Sequence, residues 1–89
     1  VPTQFSLKPA YPNPFNPVTT INYAIPHDAN VVIKAFDVRG KEVAELVNGQ
    51  IDEGYHEVVW DASKLSSGMY FVRMTSGDYK AVQKTIFVK

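Results

Sequence analysis

The chain has 89 residues, nine Lys plus Arg against nine Asp plus Glu, no cysteine and 45% apolar residues. That is one domain with a single thin core, whose stability is on the order of 5–10 kcal/mol and beside which a walled substrate cleft is hard to fit. The balanced charge gives no basic footprint for nucleic acid, the missing cysteines exclude disulfides and thiolate metal sites, and no apolar run is long enough to span a membrane.

Cysteine absence does not assign the chain to the cytosol. Val1-Pro2-Thr3 shows neither an initiator Met nor a signal peptide, so the chain reads as a piece of something longer. Residues 1–18 hold five of the six prolines, which remove backbone donors and favour extended or turn geometry. This stretch is expected to be a connector with one short strand, Phe5 to Leu7, pinned to the rest by Tyr11 and Phe15. Residues 19–89 are expected to form the folded domain.

Period-2 alternation recurs from there on, with no helical stripe. Thr19–Ile25 places Ile21, Tyr23 and Ile25 on one face, and Pro26-His27-Asp28 turns the chain. Val31–Val38 places Val31, Ile33 and Ala35 together, with Lys34 opposite. In Asp37-Val38-Arg39-Gly40, Gly40 supplies positive φ and Asp37 bonds to the backbone two residues on. Glu42–Val47 follows, with Val43 as its core residue. Asn48-Gly49 and Glu53-Gly54 both read as turns. Tyr55–Trp60 puts His56, Val58 and Trp60 on one side. Leu65-Ser66-Ser67-Gly68 is a corner before Met69–Thr75, where Tyr70, Val72 and Met74 share a side. Ser76-Gly77-Asp78 closes a hairpin into Tyr79–Val88, where Val82, Ile86 and Val88 are expected to face the core. Seven short strands with turns at this spacing predict an all-β, immunoglobulin-like antiparallel sandwich centred on Trp60.

Little in this pattern carries chemistry. The two histidines, His27 and His56, lack metal-ligand spacing, and His56 reads as a half-buried residue at a sheet end. Asp28, Asp37, Asp52 and Asp61, with Glu53, sit in or beside turns, where loop carboxylates can pool around calcium. Turns recruit Asp for hydrogen bonding alone, however, and no EF-hand spacing occurs, so no metal is predicted and these four Asp are only calcium candidates. Ser63, Ser66 and Ser67 lie near Asp61 and His56 in sequence but lack a Gly-x-Ser-x-Gly elbow. No catalytic residue and no cofactor is expected. Tyr55, Phe71, Tyr79 and Phe87 alternate against the core faces, so an exposed aromatic platform for sugar or protein is a second reading.

Five blocks then carry a resemblance. They are Tyr11-Pro12-Asn13-Pro14-Phe15-Asn16-Pro17 with Thr20-Ile21-Asn22-Tyr23; Ala35-Phe36-Asp37-Val38-Arg39-Gly40-Lys41-Glu42-Val43; Gly54-Tyr55-His56 through Val58-Val59-Trp60-Asp61; Leu65-Ser66-Ser67-Gly68-Met69-Tyr70-Phe71-Val72-Arg73; and Lys84-Thr85-Ile86-Phe87-Val88-Lys89. In this order the chain resembles the type A C-terminal sorting domains of the type IX, or Por, secretion system. Met69 stands where that family usually has a smaller β-branched residue.

The resemblance implies a sandwich that serves as an address at the C-terminus of a larger exported protein. Its implied partners are the outer-membrane secretion machinery, a surface sortase and an N-terminal cargo. The implied location is secreted or at the cell surface, reached through the periplasm and outer membrane. The residues expected to meet the machinery are Gly68, Tyr70, Lys84, Phe87 and Lys89. On this reading Ile86 and Val88 hold the last strand, with Lys84 beside Ile86 on the inner face near the rim. Thr85, Phe87 and Lys89 point outward, and the Pro-rich opening is a spacer. The alternatives are an extracellular immunoglobulin-like scaffold and a carbohydrate-binding module, which fold alone does not separate.

Overall fold

The computed structural model describes residues 2–89; Val1 lies outside the described residues. The strands are β1 (Ser6–Leu7), β2 (Val18–Ile25), β3 (Ala29–Phe36), β4 (Glu42–Ile51), β5 (Gly54–Asp61), β6 (Gly68–Ser76) and β7 (Tyr79–Phe87). They form two sheets, one of three strands in the order β1-β2-β5 and one of four in the order β4-β3-β6-β7. Every strand pair is antiparallel. One core lies between the sheets, drawn from Ile21, Tyr23 and Ile25 of β2, Val31, Ile33 and Ala35 of β3, Trp60 of β5, and Tyr70, Val72 and Met74 of β6. These are the inward phases that alternation predicts, because side chains along a strand point to opposite faces in turn. Val58 shares the phase but is only half-buried.

The β4 strand departs from expectation. Asn48-Gly49 is not a turn: Asn48 pairs with Val32 and Gly49 with Val31, and the strand runs on to Ile51. Val31 is fully buried, and β3 needs its ladder bonds satisfied from its first residue, Ala29, which pairs with Ile51. The chain reverses instead at Asp52-Glu53. Two register shifts, at Ile33/Lys34 and Ala35/Phe36, break the alternation of β4. As a result Val43, Ala44, Leu46 and Val47 all come to be half-buried, where the sequence singled out Val43.

The last strand is inverted relative to the sequence reading. Thr85 and Phe87 are buried, whereas Val82 is 56%, Ile86 38% and Val88 49% exposed, and Lys84 stands outward with them. Turn geometry decides this. Gly77-Asp78 is a two-residue loop with Gly77 at φ +57°, so Ser76 pairs with Tyr79 and the register runs on to Gly68 opposite Phe87. A glycine at the first central position is the mark of a type II′ hairpin, whose twist matches that of the strands it joins. This places Thr85 opposite Tyr70, on the core side, and a one-residue slip would reverse every side chain.

The Pro-rich opening does not stand off as a spacer. Leu7 and Ala10 are buried, Tyr11 bridges Thr20 through its backbone, and Thr19 Oγ1 donates to Pro12 O at 2.8 Å. The Tyr11 ring does no pinning, being 78% exposed. Phe15 does: it is buried against Phe87 at 5.2 Å and Trp60 at 5.3 Å between ring centroids. Beside it, Phe15 N donates to Ile86 O (2.9 Å) and Phe15 O accepts from Val88 N (3.0 Å). The Asn13 side chain extends this pairing like a peptide group, Oδ1 accepting from Ile86 N (3.0 Å) and Nδ2 donating to Lys84 O (3.3 Å). Asn13–Phe15 is thus a clip that covers the C-terminal end of the β7 edge, backbone groups that would otherwise invite another chain.

Three outcomes follow from this packing. Trp60→Ala and Phe87→Ala should each cost about 3–5 kcal/mol, while Ile86→Ala should cost less than about 1 kcal/mol. Chemical denaturation compares the three, and equal losses at Ile86 and Phe87 would contradict the phase of β7. The Thr85 hydroxyl is buried with no hydrogen-bond partner. Removing it without a change of shape relieves an unmade bond, so Thr85→Val should raise stability by about 1 kcal/mol, read as a higher denaturation midpoint. The third concerns acid. Asp37 is held below the ordinary carboxylate range chiefly by the backbone N–H of Lys41, and Asp61 chiefly by that of Ser63. Both folded values are depressed, so their stabilisation is present above the unfolded value of about 3.9 and is lost as the pH falls through the folded values. Carboxyl resonances followed by NMR should titrate low at both sites, and Asp37→Asn should flatten part of the acid limb of stability.

Candidate functional site

Parts of all five sequence blocks meet at one pole of the molecule, although Gly54-Tyr55-His56 and Tyr23 lie toward the other. Four pieces build it: the β3–β4 turn, the β5–β6 loop, the clip and the end of β7.

In the β3–β4 turn Asp37 Oδ1 accepts from the N–H groups of Arg39 (2.9 Å) and Lys41 (3.0 Å). Its backbone O accepts from Gly40 N, which closes the turn, and Gly40 sits at φ +85°, a conformation that a side chain resists. Arg39 and Lys41 are left pointing to solvent. In the β5–β6 loop Asp61 Oδ1 accepts from Ser63 N (2.9 Å), Ala62 N donates to Pro17 O (2.9 Å), and the buried Tyr70 hydroxyl donates to Ser66 O (2.6 Å). Ser67 Oγ accepts from Lys89 N at 3.0 Å, tying the loop to the chain end. Beneath both lies an aromatic cluster in which Phe15 packs on Phe87 and Trp60, and Trp60 meets Tyr70 edge-on at 5.7 Å.

The five recognition candidates separate into two roles. Gly68, Lys84 and Lys89 are on the surface, and nothing lies within 4 Å of where a Gly68 Cβ would stand. Tyr70 and Phe87 are 6% and 1% exposed, so they support the surface from below. Phe87 is therefore not an outward anchor. The sequence reading missed Asn13, whose side chain fastens the chain end as that of Ser67 does. Asn13 lay inside a motif read only as extended spacer, and a polar side chain that substitutes for a backbone peptide leaves no periodic trace.

The calcium candidates do not pool. Asp37 and Asp61 belong to this pole. Asp28 and Asp52 lie at the opposite one, where Asp28 Oδ1 accepts from Glu53 N at 2.8 Å. Among the described residues no three His, Cys, Asp or Glu gather closely enough to hold a metal ion. Nor do the serines meet a base. His56 is at the other end of β5, its Nε2 2.6 Å from Asp52 O and its ring stacked on Tyr23. The aromatic candidates form no platform either. Tyr55 is 75% exposed, Phe71 and Tyr79 are half-buried, and Tyr79 is covered by Phe5 at 5.1 Å. No helix of the described residues is long and apolar enough to cross a membrane.

Comparison with known proteins fits this geometry. No curated protein sequence matches the chain. The family model described as "Secretion system C-terminal sorting domain" matches residues 9–89, from just ahead of the clip to the last residue, and so takes in all four pieces of the pole. The chain belongs to the family of secretion-system C-terminal sorting domains.

Proposed function

We propose that the domain is read as a folded object by the outer-membrane part of the secretion machinery, with a cargo on its N-terminal side and a surface sortase acting on it afterwards. The family assignment carries the sorting role and a secreted destination. The observation that supports reading in the folded state is the pole itself. Residues distant in sequence are brought together there: Asn13 bonds to Lys84 and Ile86, Lys89 bonds to Ser67, and Ser67 lines one groove with Asp37, which requires β3, β6 and β7 to have paired. Gly68, Lys84 and Lys89 present its surface, and Tyr70 and Phe87 hold it in place. The sheet order supports an immunoglobulin-like reading of the sandwich, with β4 carried in the second sheet rather than the first. On this reading the domain does no chemistry, and Asp28, Asp37, Asp52 and Asp61 act as turn residues.

The route along the long axis fits the role. The molecule measures 37 × 22 × 17 Å. Phe5 packs by Tyr79 and His27 at the pole opposite Lys89. A cargo entering there stands about one domain length from the surface to be read.

A passenger protein fused ahead of the chain tests this in a bacterium with the secretion system. The parent fusion should reach the cell surface. Gly68→Asp and Lys89→Glu, verified as folded by circular dichroism, should lower surface display by about tenfold, as loss of a central contact does at an interface. Export of both folded variants at the parent's level would place the recognition surface away from this pole.

A further inference from the structure

The outer face of the four-stranded sheet is built in two unlike halves. On β3 and β4 the charges pair with one another, one lysine between two glutamates: Lys34 Nζ lies 3.1 Å from Glu42 and 3.9 Å from Glu45. On β6 and β7 they do not. Arg73 pairs across the ladder with Val82, and Lys80 and Lys84 flank Val82 on the same face of β7. Among the described residues none of these three cations lies within ion-pair distance of a carboxylate. The Arg73 guanidinium rests 4.5 Å over the Phe36 ring, and with Val82 it lines a shallow groove. Val82 and Ile86 stand in the solvent-facing phase, where a one-sided antiparallel sheet ordinarily carries polar residues. They are not needed to set register, because the Gly77-Asp78 turn does that.

We propose that this face, with Val82 at its centre, Arg73, Lys80 and Lys84 around it and Ile86 beyond Lys84, docks an acidic, apolar-centred protein surface of the export machinery. The proposal rests on the sorting role and adds to the pole a second surface and the chemistry of its partner. An apolar centre with a charged rim is the anatomy of protein interfaces. Unpaired cations of one sign select a carboxylate-bearing partner and disfavour a basic one. The same face suits a lipid surface poorly. Its aliphatic side chains are short, and its two aromatics, Phe36 beneath Arg73 and Phe71, are half-buried and cannot wedge among acyl chains.

Three fusions to an exported passenger decide the matter. Val82→Ser with Ile86→Ser removes the apolar side chains, and Arg73→Glu with Lys80→Glu reverses the rim. Val59→Ser, at a residue 58% exposed on the other sheet, is the control. Thermal melts of the purified variants establish that each is folded. The purified parent is also sedimented with vesicles of phosphatidylglycerol and phosphatidylcholine. The expected result is parent-level display for Val59→Ser, a loss of about tenfold or more for both face variants, and no vesicle binding. Folded face variants displayed like the parent would overturn the proposal while leaving the sorting role intact. Failure of the parent fusion itself to be displayed would instead overturn the sorting role and the proposal with it. Vesicle binding by the parent that the face variants abolish would show a lipid-docking face and overturn the protein partner.

Discussion

The contact on which this structure depends is the closure of its two ends upon each other, Phe15 against Phe87 with Asn13 bonded to the backbone of Lys84 and Ile86. The core between the sheets is thin, and at this pole it is largely aromatic. Phe15 stands between Trp60 of one sheet and Phe87 of the other, so it joins the layers beside the direct contact of Trp60 with Tyr70. The backbone bonds of Asn13–Phe15 work in the same direction. They satisfy the C-terminal end of the β7 edge and fix where the chain end lies, and the bond from Lys89 N to Ser67 Oγ then fixes how the β5–β6 loop meets it. A prolyl-rich segment suits the task because it has few donors of its own to satisfy and little freedom to lose.

Much of this was legible in the residues. Alternation in β2, β3 and β6 gave the inward phase, Gly40 and Asp37 gave the β3–β4 turn, and the ordered blocks gave the family. The failures have a common physical cause. Hydrophobicity alone does not fix a strand's phase: in β7 the aliphatic set shares its face with lysines, while the inner face mixes Gln83 and Thr85 with Tyr79, Ala81 and Phe87. Gln83 is accommodated because its amide donates to Leu7 O, a contact that no local pattern reveals. The phase was written in the hairpin loop, two residues long and opened by glycine. Asn48-Gly49 failed in the opposite sense. A strong turn dipeptide was overruled by the need of β3 for a partner along its whole length.

The candidate site was half legible. The residue types that matter at the pole were found, but their roles were not. Phe87 looks like an outward recognition residue and is buried, whereas Tyr70 lies on the inward side that alternation gives it. Conversely, Val82 and Ile86 look like core and lie on the surface. Both errors come from reading a strand without its neighbours: exposure belongs to the sheet, and a single strand carries only its period.

The clip also bears on when the domain can exist. Asn13 and Ile86 are separated by 73 positions, and the bond between them cannot form until nearly the whole domain has been synthesised. A ribosome that stalls before Phe87 leaves Phe15 and Trp60 without their cover and β6 without its neighbour. The contacts that close the domain thus come from its own first and last segments, so the fold is complete only when the final strand is in place.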